Sequence, residues 1–344
     1  METQLTTTIP TRCFPAELRT LTFTADAGAA VPIRLYIEGE DILDVTLYAD
    51  GEGRVELLDL TQLLQERMTS IGPHTLEIWW GNYMTETTLL PCRADVGAAE
   101  TFLPRHFLSL CDGRRRIPAT ATEEYLAWYH TEAADSVATV RSGWYDSTDG
   151  SWYEGEQTLT AQNLNDVDFI SIEPAAVTRP ENVPRAAQLA TYEVSVGRRR
   201  QQYEVIHGQD ATLGVSFLNA FLAEEDFYFL GTLEHELKPE RSAARFCGRL
   251  RNYAVESYDE LKAATGVLPD GMLPVLCDLA ATLQAWRISD GRELVVTDSE
   301  ARHTSDTDHL PSATVTFRES LSPDRRRPRG AVRTFDNTFD ETYE

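Results

Sequence analysis

Between residues 18 and 208 the chain is written almost entirely in short runs that alternate apolar and polar residues, each closed by Gly, Asp, Asn or Pro. Successive side chains of a strand point to opposite faces, so a period of two marks a half-buried strand and the punctuation marks turns. In Ile33-Arg34-Leu35-Tyr36-Ile37 the odd positions share one apolar face. The segments LRTLTFTAD, PIRLYIEG, ILDVTLYAD, GRVELLDL, HTLEIWW and MTETTLLPCRA predict a β-sandwich or partly closed barrel over 18–100. Only LTQLLQERM, at 60–68, reads as helical there.

A second run of strands fills 119–208, from TEEYLAWYH to RQQYEVIHG, after a connector at 101–118 that ends in Arg114-Arg115-Arg116. Over 209–320 the pattern changes to α+β. A long β pair is predicted from 217–238 and 242–258, then a single helix from Asp270 through MLPVLCDLAATLQAW. Leu273, Leu276, Leu279, Ala280 and Leu283 form its stripe, and Pro274 confines its start to the first turn. Asp290-Gly291 between alternating runs predicts a type I′ hairpin, and SATVTFRES the last strand. Residues 1–17 read as an N-terminal arm and 321–344 as a C-terminal one. The fold class expected is therefore mainly β, as serial sandwich or barrel-like modules.

Composition narrows the function classes. At 344 residues the chain is long enough for two or three cores. A net charge of −24 opposes nucleic-acid binding, which needs a basic footprint. Lysine occurs only at 238 and 262, so ion pairs rest on the forked guanidinium of Arg. Five scattered cysteines, with no CxxC, indicate neither a zinc site nor a disulfide framework. METQLTTTIPTR lacks the features of a signal peptide, and no apolar run reaches the length of a bilayer span. Synthesis and assembly in a reducing cytoplasm, without membrane insertion, is the expectation.

No motif points to catalysis or a cofactor. GxSxG, the P-loop and a GxGxxG after a strand are all missing from the sequence. His235 between Glu234 and Glu236 resembles a metal or acid–base group, but without HExxH it reads as a surface strand. Asp298, Glu300, His303, Asp306, Asp308 and His309 offer cation donors in a spacing that fits no EF-hand, so a solvated loop is expected.

Two features invite a binding role. Trp144, Tyr145, Trp152 and Tyr153 flank a turn and could stack sugars, although one of each adjacent pair should face the core. The second is the tail. Arg325, Arg326 and Arg327 precede a repeat of aromatic–acid–x–Thr at Phe335, Phe339 and Tyr343. Four-residue spacing lines up one helix face, and an extended tail would fill pockets, so either form suits docking. The runs Arg114–Arg116 and Arg198–Arg200 read as solvated loop charge.

FLNAFLAEEDFYFLG, GRLRNYAVESYDELKAATGVL, LCDLAATLQAW, RELVVTDSEARHTSDTDHLPSATVTFRES and FDNTFDETYE resemble structural proteins of phages and prophages of Bacteroides-type bacteria. The resemblance covers roughly the C-terminal two-fifths and lies in pattern. It implies a tail or baseplate component, or a relative in a contractile injection system, and supplies no functional residues. Expected partners are copies of the chain and other tail or baseplate proteins, in the virion once assembled. A glycan-binding adhesin, using the Trp/Tyr hairpin on host surface glycan, is the alternative.

Overall fold

The computed structural model describes residues 3–130, 136–164, 166–208, 210–247, 249–302 and 311–319. The first module holds β1 (Gln4–Leu5), β2 (Arg12–Cys13), β3 (Leu21–Thr24), β4 (Ala30–Ile37), β5 (Glu40–Tyr48), β6 (Arg54–Leu57), α1 (Leu60–Arg67), β7 (His74–Trp80) and β8 (Tyr83–Leu89). Two sheets, β2-β8-β7-β4-β5 and β1-β3-β6, enclose its core. The alternation in β4 works as written: Val31, Ile33, Leu35 and Ile37 are buried between the sheets with Phe23, Val55 and Ile78. α1 contributes Leu60 and Leu64 to the same core. Residues 1–17 form no trailing arm where they are described. β1 pairs with β3, β2 lies parallel to β8, and Cys13 and Phe14 are fully buried.

The second module follows α2 (Ala99–Phe102). It contains β9 (Arg114–Pro118), β10 (Tyr125–Tyr129), β11 (Val137–Asp146), β12 (Ser151–Thr160), β13 (Gln162–Leu164), β14 (Val167–Ser171), β15 (Gln188–Val196) and β16 (Arg199–Ile206). A five-stranded sheet, β12-β11-β15-β16-β9, packs on the small sheet β10-β14-β13. Trp128, Val140, Tyr192, Val194 and Tyr203 lie in the core between them. The end of the 101–118 stretch is no free connector, because β9 closes the large sheet in parallel with β16. That placement also corrects the reading of two arginine runs as loop charge. Strand alternation drives Arg115 and Arg199 inward, where both are buried.

The third module holds β17 (Leu213–Leu218), β18 (Glu224–Phe229), β19 (Leu233–Phe246), β20 (Arg249–Ala264), α3 (Leu273–Ala281), β21 (Ala285–Arg287), β22 (Glu293–Arg302) and β23 (Ser312–Glu319). Its seven strands run in the order β18-β17-β21-β22-β23-β20-β19. α3 covers one face, burying Val275, Leu276 and Leu279 against Val215, Phe217 and Phe317.

Three expectations need correction here. The helix is shorter than its apolar stripe, because Thr282 turns extended and its hydroxyl donates to Leu218 O at 2.7 Å. Leu283 is consequently exposed, and Ala285 and Trp286 belong to a strand. The Asp290-Gly291 turn is a four-residue loop, closed by Arg287 N–H to Arg292 O and Gly291 N–H to Arg287 O, both 2.8 Å. Only Gly291 has positive φ there, which rules out a type I′ turn. The long β pair joins 233–246 to 249–264, whereas 213–229 makes a separate hairpin of β17 and β18.

A fourth apolar cluster belongs to no single module. Phe14 and Leu90 from the first module, Phe102 and Leu103 from α2 and its end, Tyr129 and Val167 from the second, and Phe221 from the third pack together. Phe221 stacks on Phe102 at 5.2 Å between ring centroids, and Phe14 lies 6.0 Å from Phe221. No helix of the described residues is long and apolar enough to cross a membrane.

Candidate functional site

β11 and β12 pair without interruption from Val137↔Thr160 to Asp146↔Ser151, which places Trp144 opposite Tyr153 and Tyr145 opposite Trp152. Alternation then separates the four aromatics. Trp144 faces the core, donates Nε1–H to Ser142 Oγ at 3.0 Å and lies 4.8 Å beneath the Arg179 guanidinium. Tyr153 packs against the same core. Tyr145 and Trp152 share the outer face with ring centroids 5.1 Å apart and planes at 43°; they are 38% and 61% exposed. The four candidates therefore divide into two core residues and one surface platform.

Beside the platform, the outer face of the five-stranded sheet forms a groove of about 710 Å³. Arg114, Arg141, Glu154, Glu156, Glu193 and Gln202 line it. Gly143 forms part of its floor, and a Cβ there would lie 3.6 Å from Cζ3 of Trp152, so the indole rests over this glycine. Arg141 Nε meets Glu156 Oε2 at 3.1 Å, and Gln202 Nε2–H donates to Glu193 Oε2 at 2.9 Å.

A different cluster lies buried where the second and third modules meet. Arg115 of β9 donates to Glu124 at 3.0 Å, to Ser109 Oγ at 2.9 Å and to Glu225 of β18. Tyr203 O–H donates to Glu124 at 2.9 Å, and Asn219 Nδ2–H reaches Glu225 and Leu108 O, both at 2.7 Å. Burial raises the Glu124 carboxyl to about 7 against the pull of Arg115. Burial, helped by Glu124, raises Asp226 to about 8. Neither carboxyl oxygen of Asp226 has a hydrogen-bond partner among the described residues; the Ser216 hydroxyl, which acts to lower it, donates to Glu224 at 2.9 Å.

Shifted carboxyls in a cleft would mark a candidate active site. Here the adjoining cavity measures about 20 Å³, the room of about one water molecule. The cluster acts as a joint. Asp278 of α3 strengthens it by accepting the Ala220 N–H at 2.8 Å, while Arg93 N–H donates to Ala220 O at 2.8 Å.

The third notable feature is the outer half of the β19–β20 pair. From Leu237↔Asp259 to Phe246↔Arg249, ten register pairs extend past the last contact of β20 with β23, at Glu260↔Arg318. At about 3.4 Å per residue this ribbon projects roughly 34 Å. Among the described residues no third strand covers either edge. Arg245, Arg249 and Leu250 near its tip are exposed.

Trp80 is half-buried, 6.0 Å from Phe23 and stacked 6.0 Å from Tyr83, while Trp79 donates to Glu77 at 2.8 Å. His235 is exposed on β19, and no group of three metal-ligating side chains occurs among the described residues. Asp298 and Glu300 lie on β22; His303, Asp306, Asp308 and His309 lie outside the described residues. So do Arg325, Arg326, Arg327, Phe335, Phe339 and Tyr343. All five cysteines are free thiols. Sequence reasoning missed the joint at Arg115, Glu124, Asn219 and Glu225. Its one available signal was an arginine at an inward position of an alternating run.

No family model and no curated protein matches the chain. Among solved structures, one similar chain is from the tail of an empty gene transfer agent particle with C6 symmetry, at 12% identity and TM-score 0.23. It spans 32% of this chain and 91% of that one. The calcium-binding domain CBD12 of CALX1.1 gives 10% identity and TM-score 0.20, over 57% of this chain and 79% of that one. A structure concerning host cell surface retention of a 1.5-MDa bacterial ice-binding adhesin gives 12% and 0.18, over 90% and 93%. Similarity at these scores carries no argument for a shared fold or partner.

Proposed function

We propose that the chain is a non-enzymatic structural subunit of a phage tail or baseplate, or of a related contractile particle. It mates with copies of itself and with neighbouring particle proteins, being made in the bacterial cytoplasm and ending in the virion. The observation that carries this reading is the projecting β19–β20 ribbon. An isolated two-stranded ribbon is marginal in water, and its open edges invite further strands. Residues 239–257 contain four arginines and two glutamates, against −24 for the chain. A basic projection on an acidic body is complementary to the body of a second copy, which steers and orients association. Head-to-tail contacts of that kind close into rings where the rotation between copies closes, and otherwise build filaments. The sequence resemblance of the third module to tail and baseplate proteins agrees, and Arg325–Arg327 with Phe335, Phe339 and Tyr343 would supply a second docking arm.

The test replaces residues 241–255 by an Asn-Gly turn and compares sedimentation of the two proteins. The full chain is expected to form concentration-dependent oligomers and the shortened one to remain a folded monomer with an unchanged melting curve. Equal assembly of both, or a full chain that stays monomeric at every concentration, overturns the reading. Deleting 322–344 tests the second arm in the same way.

A further inference from the structure

We propose that the outer face of the β12-β11-β15-β16-β9 sheet is a carbohydrate site that takes a neutral polysaccharide, with Tyr145 and Trp152 as its stacking platform. This is separate from assembly through the ribbon, which lies in the third module. A pyranose ring offers an apolar C–H face and a rim of hydroxyls, so it needs a flat aromatic surface beside polar side chains. Both lie together here. Trp152, on the outer face to which strand alternation assigns it, is 61% exposed, whereas Trp144 on the inner face is buried. The indole lies over Gly143, where a side chain would also press the Thr191 hydroxyl at 2.8 Å. The glycine thus keeps the floor low and the ring close to it.

The adjoining groove of about 710 Å³ falls within the range of small-molecule sites, about 300–1,000 Å³. Its lining is charged. The exposed Arg141–Glu156 pair and the Gln202–Glu193 hydrogen bond set donors and acceptors side by side along it. The side chains of Glu154 and Arg114 engage no polar partner among the described residues, leaving both open to sugar hydroxyls. Crossing from β12 to β16 spans three strand spacings, about 14 Å, enough for a short run of sugar rings. Three carboxylates, Glu154, Glu156 and Glu193, outnumber two guanidiniums, Arg114 and Arg141, so uronate or sulfated chains are repelled.

Native affinity gels test the site with the full-length chain. Gels cast with β-glucan, mannan, xylan or arabinogalactan are compared with gels cast with alginate or with none. Retardation by at least one neutral polysaccharide is expected, weakened at least about tenfold by Trp152→Ala, the loss of one aromatic stack. Trp152→Phe should retain part of the affinity, and Glu154→Ala should weaken it without altering the melting curve. If Trp152→Ala melts early, Tyr145→Ala on the same platform carries the same expectation. Failure of every neutral gel to retard the chain, retardation by alginate alone, or retardation unchanged in the platform variants overturns the proposal.

Discussion

Gly113, just before β9, and Gly271, just before α3, cross with their main chains in contact. A Cβ on Gly113 would lie 2.1 Å from Asp270 O, and one on Gly271 would lie 2.7 Å from Asp112 C. Gly271 also has φ +83, in the left-handed region. The two segments join through Asp112 N–H to Gly271 O at 3.3 Å. Gly271→Ala should therefore cost at least about 2 kcal/mol, from backbone strain plus collision with a main chain that cannot yield. Gly28→Ala is the control, with φ +76 but open space around it, and should cost only about 1 kcal/mol. Urea transitions of the two variants decide the matter; equal losses would show that the contact is soft.

The charged joint makes an asymmetric prediction. Arg115→Met leaves Glu124 and Glu225 buried without their cation, a loss of about 3–5 kcal/mol. Arg141→Ala, which removes an exposed pair with Glu156, should cost no more than about 1 kcal/mol. Adding Glu124→Gln and Glu225→Gln to Arg115→Met should return much of the loss. A triple variant as unstable as the single one would refute the electrostatic account.

Raised carboxyls also set a pH dependence. Asp226 rises to about 8 and Glu124 to about 7, both above their values in the unfolded chain. From about pH 4 to 8 the native joint therefore holds protons that the unfolded chain has released, so stability falls as pH rises through this window. Asp226→Asn removes one titrating group. The variant should lose less stability than the parent between pH 6 and 9, by up to about 1.4 kcal/mol per pH unit below 8. Urea midpoints at pH 6, 7, 8 and 9 measure it, and parallel profiles would contradict the assignment.

Leu222 sits at φ 59 in the turn between β17 and β18. The Asn219 side chain imposes this shape, its Oδ1 accepting Phe221 N–H at 2.9 Å and Ala223 N–H at 3.1 Å. A leucine in that region carries about 1–2 kcal/mol of strain, and glycine gives part of it back as entropy. Leu222→Gly should accordingly raise stability by about 0.5–1 kcal/mol. A melting temperature that falls would show that the leucine side chain contributes packing outweighing the strain.

Much of the fold was legible because strand alternation is local. Val31 to Ile37 declares its faces within the segment itself. The same rule separates Trp144 and Tyr153 from Tyr145 and Trp152. Helix length was misread because the apolar stripe continues to Leu283, while the stop comes from a hydroxyl reaching Leu218 on another element. The joint was hidden for a similar reason. Arg115 meets Glu225 across 110 positions, and Phe14 meets Phe221 across more. No window of sequence contains such pairs, and a run of three arginines looks alike whether its middle member faces water or a carboxylate.

The shared cluster around Phe14, Phe102 and Phe221 has a mechanical consequence. Each module contributes side chains to one knot, so none can swing without prising apart apolar contacts that the other two hold. Tension pulling at any one module is thus borne by all three, and the molecule behaves as a stiff bracket with its angles locked at manufacture.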